Sequence, residues 1–121
     1  MTSHVTTHVL DAVTGIPAAG IAVRLSRIEG DGASGAAGAE TATEVAAGTT
    51  NSDGRIRDLG PEVIDPGTYR ITFATGEYFR AQGVETFYPS VTIDFFVDEG
   101  RDHYHVPCLL SPFAYSTYRG S

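Results

Sequence analysis

Period-two alternation of apolar and polar residues recurs along this chain and constrains its fold more than any other feature. In IAVRLSR, Ile21, Val23 and Leu25 alternate with Ala22, Arg24 and Ser26, the pattern of a strand with one face on a core and the other in water. TYRITFAT sets Tyr69, Ile71 and Phe73 against Arg70, Thr72 and Ala74. SVTIDFFVD sets Val91, Ile93, Phe95 and Val97 against Thr92, Asp94, Phe96 and Asp98. HVLDAV, a stretch within TATEVAAGTT, a short segment from Arg55 to Asp58 and two strands in the closing HYHVPCLLSPFAYSTYRGS bring the expected total to seven or eight.

Turn residues punctuate these segments. Thr14-Gly15-Ile16-Pro17, Asn51-Ser52-Asp53-Gly54 and Asp65-Pro66-Gly67 read as turns, and Ser111-Pro112 as a tight hairpin connection, because glycine supplies positive φ and proline fixes φ. Short strands spaced by turns predict an all-β sandwich or barrel. One segment breaks the pattern: GEYFRAQG, from Gly76 to Gly83, lacks alternation and suits one or two helical turns with a glycine stop. Residues 29–48 are rich in Ala and Gly, with bulky apolar side chains nearly absent until Val45. They are expected to form a flexible surface loop, most clearly in their first half.

The 121 residues suffice for one domain, residues 1–121, with a single core. A net charge of −7 and a pI near 4.8 argue against nucleic acid and anionic membranes, which need a basic face. An anionic small molecule would need a local cationic pocket. Cys108 is the only cysteine, so no internal disulfide is possible and a reducing, cytoplasmic setting is expected. The amino-terminal MTSHVTTHVLDAV has no basic leader or long apolar run, so neither a signal peptide nor a membrane span is expected.

His103 and His105 lie at i and i+2, which in a strand puts both imidazoles on one side and Tyr104 on the other. Three readings stay open for this pair: solvated surface histidines, metal ligands, or catalytic groups. With His8 as a third ligand, the pair would match a three-histidine zinc site. Cys108, at an odd offset, is expected on the opposite face as a small buried apolar residue. Arg55 follows the Asn51–Gly54 turn and reads either as a solvated charge or as a bidentate partner for a planar ligand's oxygens. Arg57 competes for that role. No nucleophile elbow and no phosphate-cradling glycine loop is present, so hydrolysis would rely on activated water.

Together, HVLDAVTGIPAAGIAVRL, TNSDGRIRDL, PGTYRITFATGEYF and HYHVPCLLSPFAYSTYRGS closely resemble the 5-hydroxyisourate hydrolase family, the enzymatic relatives of transthyretin. The likeness spans nearly the whole chain except residues 29–48. The closing Tyr-Arg-Gly-Ser is the family signature that separates the hydrolases from the thyroid-hormone carrier. The resemblance implies a transthyretin-like, eight-stranded antiparallel β-sandwich with one short helix, and a homotetramer, a dimer of dimers with active sites at the dimer–dimer interface.

It further implies hydrolytic opening of 5-hydroxyisourate to 2-oxo-4-hydroxy-4-carboxy-5-ureidoimidazoline in urate and purine degradation, with no metal and no organic cofactor. Carried onto this sequence, the catalytic residues are His8, Arg55, His105 and Ser121. Substrate contacts fall to Arg55, Tyr118, Arg119, Gly120 and Ser121. His4 and His103 do not match the family's catalytic positions and are expected to be solvated, and Arg57 yields to Arg55. Two departures from the family pattern are the Ala/Gly-rich insertion and Cys108, where an aliphatic residue is more usual.

Overall fold

A computed structural model describes residues 2–34 and 38–121. Two sheets enclose one apolar core. The first contains β1 (Val5–Asp11), β2 (Ile16–Pro17), β5 (Arg55–Ile56), β8 (Tyr104–Ser111) and β9 (Ala114–Thr117), running in the order β2-β1-β8-β9 with β5 also pairing with β1. The second holds β3 (Ala22–Gly30), β4 (Glu40–Thr49), β6 (Gly67–Phe73) and β7 (Val91–Val97) in the order β4-β3-β6-β7. The single α-helix among the described residues, α1 (Thr75–Ala81), lies between β6 and β7, where GEYFRAQG was expected to be helical.

Alternation in the sequence becomes the division between core and surface. Val23 and Leu25 of β3, Tyr69, Ile71 and Phe73 of β6, and Val91 and Val97 of β7 are buried. Ile93 and Phe95 pack against the same cluster, while Phe96 on the opposite face of β7 is exposed. In β8, Tyr104, Val106, Cys108 and Leu110 point inward, so His105, at odd offset, points outward. Cys108 is 1% exposed, and burial pushes its thiol up to about 11.

The sandwich and its helix are as expected, with three differences. Ile16-Pro17, read as part of a turn, adds a two-residue strand against Leu10 and Asp11, making nine strands among the described residues. The β1–β8 ladder is parallel, whereas the other ladders are antiparallel. The strand expected within TATEVAAGTT is present as β4, but its pairing reaches further into the stretch 29–48 than a loop there implied. β3 runs to Gly30 and β4 begins at Glu40, paired from Ala22↔Thr49 to Gly30↔Glu40. Backbone hydrogen bonds need no bulky side chain, and Glu40 is further held by Arg70 of β6 at 2.7 Å. A 3-10 turn (Asp31–Ser34) follows β3. Residues 35–37, the centre of the expected loop, lie outside the described residues.

Packing predicts which substitutions matter. Ile71 is fully buried, whereas Val63 is 77% exposed. Ile71→Ala should cost about 2–5 kcal/mol and Val63→Ala less than about 0.5 kcal/mol, measured by urea unfolding of each variant against the parent chain.

Candidate active site

β1 is the middle strand of the site. Its outward face presents Thr6 and His8, with β8 on one side and β5 on the other. The parallel register sets Thr6 opposite His105 and His8 opposite Pro107. The antiparallel register with β5 sets His8 opposite Arg55, and such facing pairs bring Cβ atoms to about 4.5–5.5 Å. Three residues far apart in sequence therefore share one sheet surface. All three side chains are half-buried.

The turn before Arg55 makes this approach possible. Asn51 Oδ1 accepts from the backbone N–H groups of Asp53 (2.9 Å) and Arg55 (3.0 Å). Gly54 adopts φ +72°, and its carbonyl accepts from Val9 N–H at 2.7 Å. A Cβ at Gly54 would sit 2.4 Å from the Val9 carbonyl oxygen. Only glycine tolerates both the conformation and the contact, and it is this contact that brings Arg55 against β1.

The chain's end is held over His105. After β9, Gly120 N–H donates to the His105 carbonyl at 2.9 Å in an isolated antiparallel bridge. A Cβ on Gly120 would lie 2.5 Å from His105 Cδ2, so the imidazole packs directly on the glycine backbone. Thr117 Oγ1 donates to the Pro107 carbonyl at 2.7 Å. Tyr118, Arg119 and Ser121 are exposed around this anchor. Tyr118 and Arg119 join His105 in lining a cavity of about 370 Å³ that reaches to Phe95 and Tyr104. A larger depression of about 660 Å³ on the other sheet has only Arg24, Glu44 and Glu77 as ionisable lining groups. Proton-transfer chemistry near neutrality thus belongs to the histidine surface, because imidazole is the side chain that titrates there.

Both catalytic candidates among the histidines are biased toward the neutral form. Burial lowers the His8 pKa first and the Arg55 charge lowers it further, against the opposing pull of a hydrogen bond to the Asp53 backbone and of the Asp53 charge. For His105 the causes are burial, then Arg55, His103 and His8. Positive charge and desolvation both disfavour an imidazolium. Each ring keeps a lone pair that can take a proton.

Two expectations need correction. His4 is not solvated: it is 5% exposed, accepts from Ile64 N–H at Nδ1 (2.9 Å) and donates from Nε2 to the Arg101 carbonyl (2.7 Å). Its place in the buried amino-terminal segment, where His4 N–H also reaches the Pro61 carbonyl, makes it a structural tie. His103 is half-buried, and its Nε2 lies 2.9 Å from Thr6 Oγ1. The same hydroxyl lies 2.9 Å from His105 Nδ1. Thr6 was missed by sequence reasoning; its one signal is a hydroxyl two residues before His8, hence on the same strand face. Arg57 falls outside β5 and is exposed. Among the described residues no group of three or more His, Cys, Asp or Glu is placed to hold a metal ion, and no helix is long and apolar enough to cross a membrane.

Known proteins share this arrangement of strands and sequence. The family described as "HIUase/Transthyretin family" matches residues 5–120. The 5-hydroxyisourate hydrolase of Mus musculus is 44% identical over 120 residues, covering 98% of this chain and 96% of that protein. That of Salmonella dublin is 43% identical over 115 residues, covering 94% and 78%. Among solved structures, Klebsiella pneumoniae 5-hydroxyisourate hydrolase superimposes with a TM-score of 0.81 at 38% identity, covering 98% of this chain and 100% of that one. Transthyretin from Sparus aurata gives 0.85 at 33% identity, covering 97% and 96%. With a match running through nearly every strand described above, this chain belongs to the HIUase/transthyretin family.

Proposed function

We propose that this chain hydrolyses 5-hydroxyisourate, opening its ring to 2-oxo-4-hydroxy-4-carboxy-5-ureidoimidazoline in urate degradation. The observation that carries this reading is the convergence of His8, Arg55 and His105 on one sheet surface, with both imidazoles biased toward the neutral form. The fold likeness extends to transthyretin as well as to the hydrolases, so the side chains of the site, not its scaffold, favour catalysis.

In this mechanism a neutral histidine of the His8/His105 pair takes a proton from water. The resulting hydroxide attacks the ring amide carbonyl C6. The C–N bond then breaks and the imidazolium returns its proton to the departing ring nitrogen, so the enzyme ends as it began. Arg55 orients the planar heterocycle and stabilises charge developing on the carbonyl oxygen, a role worth roughly 3–4 kcal/mol for a well-placed donor. Tyr118, Arg119, Gly120 and Ser121 form the substrate-facing rim, with Ser121 supplying a hydroxyl for water or substrate.

The same reading includes a homotetramer. β7 and β9 are edge strands of their sheets, and edges invite pairing with another copy. Phe87, Phe96, Phe113 and Tyr118 add exposed aromatic surface. Light scattering should report four chains per particle; a monomer would remove the assembled site from this proposal. A cytoplasmic location fits the single reduced thiol, and recovery of the protein from another compartment on cell fractionation would count against it.

Freshly generated 5-hydroxyisourate should decay faster with the protein than without it, in a saturable manner. His8→Ala and His105→Ala should each lower turnover by about 10²–10⁴-fold, the usual scale of general acid–base catalysis, with folding retained. Absence of acceleration by folded protein would sink the hydrolase assignment.

The pH profile follows from the direction of the histidine shifts. A base must be unprotonated, so kcat/KM should fall on the acid side, with a midpoint below the ordinary histidine value of 6.5. Arg55→Gln removes a positive charge that opposes protonation and should move that midpoint upward. A midpoint that stays put in the variant would contradict the electrostatic role given to Arg55.

A further inference from the structure

Thr6 lies between two imidazoles, and the arithmetic of its hydrogens limits what they can do. A threonine hydroxyl has one hydrogen to donate and lone pairs to accept with. His103 Nε2 and His105 Nδ1 each lie 2.9 Å from Thr6 Oγ1. If both nitrogens were bare, one would face oxygen lone pairs with no hydrogen between them. If both carried hydrogens, the hydroxyl hydrogen would have no acceptor among the described residues, in a side chain only 4% exposed. One ring must therefore donate to Thr6 and the other must accept from it.

These two arrangements differ in consequence. Where Thr6 donates to His105 Nδ1, the neutral His105 carries its hydrogen on Nε2 and has no lone pair left for water. Where His105 Nδ1–H donates to Thr6, Nε2 is bare. Nε2 has no protein hydrogen-bond partner among the described residues, since the bonds of this ring go to Thr6 and Gly120 covers its Cδ2 edge. Proton uptake at Nε2 then leaves the Nδ1–H···Oγ1 bond in place and strengthens it, because a bond from a charged donor is the stronger kind.

We propose that Thr6 is a positioning residue that holds His105 in the Nδ1–H tautomer by donating its own hydroxyl hydrogen bond to His103 Nε2. The chain His105 Nδ1–H···Thr6 Oγ1–H···His103 Nε2 directs the lone pair of His105 toward the open side of the site. His103, which matches no catalytic position of the family resemblance, acquires a role as the terminal acceptor. The near-parallel rings, with 20° between planes and 6.4 Å between centroids, stand side by side two residues apart in the chain, within reach of the same hydroxyl. This assignment rests on His105 serving as a base in the hydrolysis proposed above.

The test reads the ring nitrogens directly and needs no substrate. Long-range ¹H–¹⁵N spectra of the uniformly labelled protein at mildly alkaline pH distinguish a protonated from a bare nitrogen. The expected result is His105 with hydrogen on Nδ1 and a bare Nε2, and His103 with a bare Nε2. Thr6→Val should shift His105 toward the Nε2–H form and lower kcat by roughly 10- to 100-fold, the scale of one hydrogen bond to a charged group, with KM little changed. Thr6→Ser should restore both the tautomer and most of kcat. Should Thr6→Val misfold, His103→Phe and His103→Gln form the second pair: the first removes the acceptor and the second keeps one. Hydrogen on His105 Nε2 in the parent protein would overturn the proposal, as would an unchanged kcat in a folded Thr6→Val protein with an altered tautomer. Failure of the hydrolase reading is separate, because it shows as no acceleration by the parent protein whatever its ring spectra.

Discussion

The parallel ladder between β1 and β8 is the constraint on which the site depends. It sets Val5 through Asp11 beside Tyr104 through Leu110, joining residues near the two ends of the chain. Thr6 and His105 are 99 positions apart, and the ladder makes them neighbours without either being in a loop. Strands fix side chains more tightly than loops do, so a hydrogen bond between Thr6 and His105 can have a defined geometry. β5 and the tail then attach to this pair of strands from either side, one bringing Arg55 and the other Gly120.

Burial and local charge together outweigh the overall charge at the histidines. The chain carries a net −7, which by itself favours protonated imidazole. Screening reduces distant charges to little over about 10 Å in salt solution, whereas Arg55 acts across a neighbouring strand. Desolvation adds to its effect at both rings. An acidic protein can thus contain a small region that resists protonation.

Much of the fold was legible because alternation maps directly onto burial. Val23, Leu25, Tyr69, Ile71 and Phe73 are all interior, as their spacing implied. Alternation says which face a residue occupies but not which strand lies beside it, so the parallel partnership of β1 with β8 was not readable from the pattern. For the same reason Thr6 was passed over, its place on the His8 face of the strand saying nothing of the imidazoles of His103 and His105 beside it, and His103 was assigned to water. His4 was misjudged because its burial depends on the segment from Pro61 to Ile64 packing over it, a contact without local periodicity. His8, Arg55 and His105 were identified through resemblance to a family, and the structure supplies the register that brings them together. The strand at Glu40–Thr49 is the one expected within TATEVAAGTT, and its pairing with β3, made by the backbone, continues to Gly30 and Glu40 in a stretch whose small side chains suggested mobility.

Cys108 stands three residues beyond His105 on the same strand, yet the pleat turns it into the core, where it is 1% exposed and its thiol is pushed up to about 11. A thiol must become thiolate and meet solvent before oxidants attack it readily. Neither condition holds in the folded chain. The strand that carries His105 is therefore chemically quiet toward peroxide and disulfide exchange, and a change in cellular redox state reaches this site only after β8 has opened.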